Sequence, residues 1–496
     1  MVDVAIIGGG IAGLATAYEL RRQQLSFIVL ERAARAGGVI YSEEVSGFTI
    51  DGGPDSLLIQ KPHAIQLCEE LGLGGRLVTT KLPRIAYIQR SGHLYPLPAA
   101  SILGIPTRVG PFIATGLFSW PGKVRMAGEL LVPRRRDDGD ESIGAFMTRR
   151  FGREATTYLA EPLLAGIHAG DVDRLSMKAL FPRLVDAEKE HGSLLRAFRT
   201  FGPARSTEHR EPGTRTPNPE PRTPNPAPRT PNPDGAFKSL PGGLGELVQT
   251  LVAKLGESNV RRSTSVLAVT GYGPFAVRTE SGDIINARAV VVATPAYVTS
   301  TLLRDRDSAL AALCAEVPYA SAATIALAFR RDAIRHPLNG SGFVVPKIEN
   351  TGLLAGSWLS SKWPHRSPDD DHVLMRTFVG GARDPGTLER SDAELIALSL
   401  RALDPLIGIS GEPLFTRVYR FDRGNAQHEV GHLKRVVAID RALARHSGVF
   451  LTGSGFRAVG IPDVVADGRA TAQQVATWLQ QNADRAAAHG PLGARG

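Results

Sequence analysis

Glycines and one carboxylate carry the clearest chemistry in this chain. Gly8, Gly9, Gly10, Ile11, Ala12 and Gly13 read GGGIAG, in which Gly8, Gly10 and Gly13 satisfy GxGxxG. The first glycine permits a tight turn, the second lets the backbone approach a pyrophosphate, and the third lets a helix pack closely on a strand. The helix N-terminus then attracts the phosphate charge. Alone this turn is a weak signal, but Glu31 closes the next apolar run where a carboxylate would accept ribose hydroxyls. Gly37-Gly38 and then Gly52-Gly53-Pro54-Asp55-Ser56 add two more glycine turns. They suit an extended dinucleotide threaded between domains, FAD rather than a nicotinamide nucleotide. Near the other end, LTGSGFRAVGIPD at 451–463 precedes a helical pattern over 466–479 and would bring a second helix N-terminus to the same cofactor.

Side chains for acid–base work are much less evident. His168, His191 and His365 stand in no motif that marks a triad or a metal site. Asp171 and Asp173, in AGDVD, read as turn caps before a helix over 175–180 rather than as a carboxylate pair. The two cysteines, Cys68 and Cys314, form no CxxC or Cys/His cluster, which fits a reducing cytosol and no metal.

The elements that would position these residues follow from short apolar runs. Residues 2–7 and 27–30 read as buried strands with a helix over 12–20 between them, a βαβ start of a parallel sheet. AVVVA at 289–293 and GVFL at 448–451 have the same character, so the first domain draws on the beginning, middle and end of the chain. With 496 residues, beyond the ~250–300 at which single cores stop growing, two or more domains are expected. The expected class is α/β. A discontinuous Rossmann-like FAD-binding domain takes 1–60, 236–300 and 420–482, and an α+β, mixed-sheet substrate domain takes 61–93, 161–202 and 301–419. A small helical subdomain takes 94–160, and a flexible tail 483–496. Between them, 203–235 repeats RTPNPxP with a seven-residue period. Its prolines remove backbone donors and enforce extended conformations, so a disordered, solvated loop is expected.

Hydrophobic residues at 43% and charged ones at 22% are ordinary for a globular protein, and no run of ~18 apolar residues suggests a spanning helix. The apolar stretches 102–109 and 112–120, followed by Arg134, Arg135 and Arg136, leave peripheral contact with the inner face of a membrane open. A net charge of +9 suits an anionic partner, but no recognisable module supports nucleic-acid binding.

Over nearly its whole length the sequence resembles the protoporphyrinogen and coproporphyrinogen III oxidases of the amine-oxidase-like flavoprotein superfamily. The residues that carry the resemblance are GGGIAG, GPDS at 53–56, EPLLAGIHAGDVDRLSMKALFP at 161–182, SLPGGLGEL at 239–247, TFVGGAR at 377–383 and the terminal GFRAVGIPD. The resemblance implies FAD held by Gly8 to Gly13, by Glu31 and Arg32 on the adenosine side, and by Val39, Gly53, Pro54, Asp55 and Ser56 along its length. It adds Val266 at the adenine, and Ser454, Val459, Gly460 and Ile461 at the flavin end. Val39 stands where related enzymes often hold a basic residue, which puts a side-chain contact to phosphate there in doubt.

For substrate the resemblance implies a porphyrinogen that loses six electrons in the course of haem synthesis, with O2 taking the electrons and peroxide formed. Arg84 would hold a propionate, Phe378 would stack on the macrocycle, Trp358 and Val344 would clamp it, and the backbone of Ala169 and Gly170 would face the pyrrole nitrogens. A cytoplasmic enzyme, monomer or homodimer, handing its product to the next enzyme of haem synthesis, completes the expectation. An amine oxidase would want paired aromatics near Phe456, and a polyene desaturase an apolar tunnel; both stay as alternatives. So does a non-catalytic flavin-binding scaffold.

Overall fold

The strand Val2–Ile7 is apolar and β-branched without alternation, as a strand buried on both faces of a parallel sheet must be. In the computed structural model, which describes residues 1–97, 101–102, 105–106, 109–200 and 235–488, it lies near the centre of a seven-stranded sheet. On one side follow Phe27–Leu30 and Val260–Arg261, both parallel to their neighbours. On the other side Val2–Ile7 runs parallel to Ile284–Val292, with Ile7 opposite Val292. The far edge of Ile284–Val292 is shared: Phe275–Thr279 pairs antiparallel with its first half and Val449–Leu451 parallel with its end, and Val266–Thr270 lies outermost. Three distant pieces of chain thus close one sheet.

Helix Ile11–Arg22 covers this sheet by burying Ile11, Leu14, Ala15, Ala17 and Leu20, and helix Ile461–Ala488 packs beside it. Their crossing is close because Gly468 has no side chain. A Cβ there would lie 2.6 Å from the Ala12 carbonyl oxygen, and the Thr16 hydroxyl donates to the Gly468 carbonyl at 3.1 Å.

A second seven-stranded sheet runs in the order Phe415–Ala426, Tyr319–Arg330, His372–Gly380, Leu353–Ser357, Gly342–Val344, Ala86–Arg90, His93–Pro96. It is mixed: Gly342–Val344 and Ala86–Arg90 pair in parallel, and the others are antiparallel. One face packs against helix Asp392–Ile407 through Ile325, Phe343, Met375, Leu395 and Leu403. Helices Ile143–Phe151, Glu161–His168, Pro182–His191 and Leu194–Thr200 build a further apolar core around Phe146, Phe151, Leu159 and Leu194. Beside it Ile113, Trp120, Val124 and Leu131 are exposed. Among the described residues no helix is long and apolar enough to cross a membrane.

Two local expectations are corrected. The helix expected over 175–180 is Met177–Leu180, and its cap is Ser176, whose hydroxyl accepts from the Ala179 amide at 2.9 Å. Asp171 instead caps its own turn, accepting from the Asp173 amide at 3.0 Å, one residue pair too early to reach the helix. The RTPNP repeats and 489–496 lie outside the described residues.

Candidate functional site

Gly8 takes φ +108°, and a Cβ on Gly13 would sit 2.0 Å from the Gly8 carbonyl oxygen, so strand, turn and helix touch as GxGxxG requires. Gly10 is the residue before helix Ile11–Arg22. It is extended, no side chain caps the helix there, and a Cβ on it would meet nothing within 4 Å. Uncapped first-turn amides facing open space are what a pyrophosphate needs, so these residues fit the phosphates of FAD. Gly37 pairs with Gly10 and its amide donates to the Gly9 carbonyl at 2.8 Å, while Gly38 closes on the Gly10 Cα. A Cβ on Gly53 would lie 1.9 Å from the Val39 carbonyl oxygen. The three glycine turns that the sequence separates are therefore stacked against one another.

Glu31 sits at the end of its strand with Oε2 accepting from the Gly9 amide at 2.7 Å and Oε1 from the Ala33 amide at 2.8 Å. These bonds fix the carboxylate and leave acceptor capacity on each oxygen for hydroxyls. Arg32 follows it at the surface. The Thr264 amide donates to the Glu31 carbonyl at 2.8 Å, which brings Val266 to the same end of the sheet. At the other end, a Cβ on Gly453 would lie 3.8 Å from the Ala12 side chain, so Ser454, Val459, Gly460 and Ile461 run from the first helix to the start of the last. There Lys61 pairs with Asp463. Asp467 accepts from Thr452 and from the Gly453 amide at 3.0 Å; burial pushes its carboxyl up.

Pro54 and Ser56 flank Asp55, whose carboxylate is buried. It takes Lys362 Nζ at 2.9 Å, Trp363 Nε1 at 3.2 Å and Arg376 at 3.6 Å. Burial opposes its charge, but Lys362 and then Arg376 more than offset that and hold its pKa well below the carboxylate range. Arg376 also donates to the carbonyls of Asp51 and Gly53, and Arg366 pairs with buried Asp51 at 2.8 Å. Arg376 stands just before the TFVGGAR run and carries no motif of its own, but period two in its strand puts it on one face with Phe378.

Register in the second sheet assembles the substrate side. Val344 pairs with Ala355, Ala355 with Phe378, Phe378 with Thr324 and Thr324 with Tyr419, so one row crosses one face. At one end the Thr324 hydroxyl donates to the Gly52 carbonyl at 2.5 Å and Tyr419 packs on Gly52; at the other Val344 meets Gly166 of helix Glu161–His168. Phe378 is half-buried with Arg376 4.7 Å from its ring centre, beside Ala169 and Leu354. Ala169, at φ +50°, accepts from the Ala382 amide at 2.7 Å, and Gly170 packs on Gln427. Trp358 does not join them. It is fully buried with Tyr87 and Phe343 in the core under helix Asp392–Ile407, on the sheet's opposite face. Arg84, half-buried, donates from Nε to the Thr80 hydroxyl at 2.9 Å and lies against Gly235.

Three histidines gather between these halves. His428 and His432 stack with centroids 3.8 Å apart. Burial first, and then the neighbouring His428, push His168 and His432 down to about 4; burial also lowers His428. Their neutral forms are favoured when folded, whereas in the unfolded chain each titrates near ~6.5. Unfolding therefore takes up protons between pH ~6.5 and 4, and the stability present above ~6.5 is lost as pH falls through that window. Denaturant midpoints at pH 7.5, 6 and 5 are expected to fall in that order; a midpoint flat across the window would mean that these rings charge without opening the fold. Among the described residues no cluster of His, Cys, Asp and Glu could hold a metal.

Comparison with known proteins adds family to geometry. The profile of flavin-containing amine oxidoreductases matches residues 11–476. The chain is 33% identical to the coproporphyrinogen III oxidase of Bacillus subtilis, covering 96% of this chain and 98% of that one. It is 35% identical to that of Propionibacterium freudenreichii over 95% and 90%, and 25% identical to protoporphyrinogen oxidase 2 of Arabidopsis thaliana over 96% and 94%. The crystal structure of an Exiguobacterium protein assigned as a protoporphyrinogen oxidase superposes with a TM-score of 0.81 at 30% identity over 97% and 99%. Putrescine oxidase, at 17% identity and a TM-score of 0.62, shares the fold alone.

Proposed function

The chain belongs to the flavin-containing amine oxidoreductases and, within them, to the coproporphyrinogen III and protoporphyrinogen oxidases, and from that membership we propose that it oxidises coproporphyrinogen III to coproporphyrin III. It is an FAD-dependent oxidoreductase of porphyrin synthesis. The observation that carries the reading is the row Val344, Ala355, Phe378, which runs from the helix before Ala169 to the glycine turn at Gly52. An apolar row with a half-buried aromatic ring, continued by Thr324 to the Gly52 turn, suits a tetrapyrrole better than a small amine. FAD, when bound, supplies the redox chemistry, and O2 serves as the final acceptor, three molecules giving three of peroxide for the six electrons removed.

The protein's part is to bind and orient. Phe378 offers a ring face backed by the Arg376 guanidinium, Val344 closes one side, and the backbone of Ala169 and Gly170 faces the pyrrole nitrogens. The turn from Gly8 to Gly13 would hold the pyrophosphate and so orient the cofactor. Arg84 binds one propionate, oriented by its bond to Thr80. Coproporphyrinogen is favoured over protoporphyrinogen because three bacterial relatives named for it are 32–35% identical, against 25–28% for plant protoporphyrinogen oxidases. The reaction is proposed for the cytoplasm, where the expected peripheral contact with the inner face of the membrane would also be made.

The test is an aerobic assay of the yellow protein with both porphyrinogens, following porphyrin fluorescence and peroxide. Faster turnover of coproporphyrinogen III is expected; the reverse order reassigns the substrate, and no turnover of either returns the chain to amines or polyenes. Arg84→Ala is expected to raise KM about ten- to hundredfold with kcat little changed, the loss of a charge-assisted pair of ~1.5–3 kcal/mol. An unchanged KM would leave Arg84 with a structural role such as its bond to Thr80.

A further inference from the structure

The segment 427–432 lies between the substrate-side turn and the flavin-side segment, and its polar groups reach both. The Gln427 side-chain amide donates to the His168 carbonyl at 3.0 Å, and the His428 carbonyl accepts from the Ser176 amide at 2.8 Å. Asp140 ties the two together from beneath, accepting from the Ser176 hydroxyl at 2.8 Å and the Gly431 amide at 3.2 Å. In the other direction His428 Nε2 stands 2.8 Å from the Ser454 carbonyl and His432 Nε2 2.7 Å from the Phe456 carbonyl. A carbonyl only accepts, so both Nε2 atoms carry the hydrogen. Gln427, His428 and His432 are all buried, and the imidazoles are stacked within 13° of parallel. His432 Nδ1 has no partner among the described residues, which suits the neutral ring.

We infer that 427–432 is a rigid strap that sets the distance between the porphyrinogen and the flavin, with Gln427 and His432 as positioning residues at its two ends. The inference rests on the function proposed above, since it needs a substrate at the 168–176 turn and FAD at 453–461. Its physical reason is the steepness of the reaction with distance. Reacting atoms must meet at about 3–3.5 Å, and a displacement of about 1 Å costs on the order of a hundredfold in rate. Those two turns belong to chain segments nearly three hundred residues apart, and the strap bonds to both.

The experiment uses the full-length holoenzyme and four proteins: wild type, His432→Phe, which removes the donor, His432→Gln, whose amide can replace it, and Gln427→Met, which removes the side-chain tie to His168 at the opposite end. Amide hydrogen exchange is read at 168–176 and at 452–460. Loosening either end is expected to speed exchange at both turns, with wild-type protection in His432→Gln. Kcat is expected to fall about tenfold or more in His432→Phe and Gln427→Met, with KM within about threefold, FAD content unchanged, and rescue by His432→Gln. Faster exchange confined to the turn beside each substitution would overturn the strap, as would His432→Gln behaving like His432→Phe. Should His432→Phe fail to accumulate folded, Gln427→Met carries the same comparison from the other end. A wild type that turns over neither porphyrinogen defeats the proposed function, while hydrogen exchange still decides the strap.

Discussion

Gly13→Val is expected to yield a folded but colourless protein. A Cβ at Gly13 would lie 2.0 Å from the Gly8 carbonyl oxygen, a backbone atom that cannot swing aside. Gly8 is itself fixed, because its amide donates to the Leu30 carbonyl at 2.8 Å and its own Cβ position is 2.8 Å from the Ala293 carbonyl oxygen. The helix must therefore retreat from the strand, and the Gly10 amide moves away from the pyrophosphate. Overpacking of this kind costs ~1–3 kcal/mol, here borne by the turn that holds the phosphates. FAD affinity is expected to drop by at least ten- to hundredfold, at about 1.4 kcal/mol per tenfold. The measurement is the ratio of flavin to protein absorbance after gel filtration, with circular dichroism to show that the chain is folded. Gly128→Ala is the control, since nothing lies within 4 Å of its Cβ position. A yellow Gly13→Val with stoichiometric FAD would mean that the pyrophosphate is held elsewhere.

Asp55→Asn is expected to be the most destabilising of the near-isosteric changes at the site. The carboxylate is the shared counter-charge for Lys362 and Arg376, and Arg376 is itself nearly inaccessible at 2% exposure. The amide keeps the shape and removes the charge, leaving two cations confined with no anion between them. Removing one partner of a buried pair costs ~3–5 kcal/mol, most of it the penalty on the charge left behind. Denaturant unfolding should reveal that loss, and Lys362→Met in the Asp55→Asn background should recover part of it, because one stranded cation is then gone. Unfolding within ~0.5 kcal/mol of wild type would show that water or a local shift neutralises the site. Arg376 backs Phe378 at 4.7 Å, so the variant is also expected to lower kcat for the porphyrinogen.

Both results trace to residues read very differently from sequence. Gly8, Gly10, Gly13 and Glu31 declared themselves because a dinucleotide turn is local: strand, turn, helix and strand succeed one another within one supersecondary unit. The Phe27–Leu30 and Val449–Leu451 strands were legible for a related reason, an unbroken apolar run bounded by turns. The resemblance implies Asp55 along the cofactor from its place in GPDS, but the ions its carboxylate bonds come from residues more than three hundred positions later, which no local pattern records. His428 and His432 carried a weak signal, two histidines four apart, but what they hold are backbone carbonyls, which no side-chain pattern records.

The sequence by itself determined that a dinucleotide would sit on the first strand and helix, because contiguous residues fix their own backbone and amides. The tertiary structure alone decided what faces it. Strand register, set by pairing between distant segments, put Val344, Ala355 and Phe378 in one row and sent Trp358 to the opposite face. A shift of one residue in any of those pairings would have exchanged the two faces, and period two within each strand leaves the choice open until the strands meet.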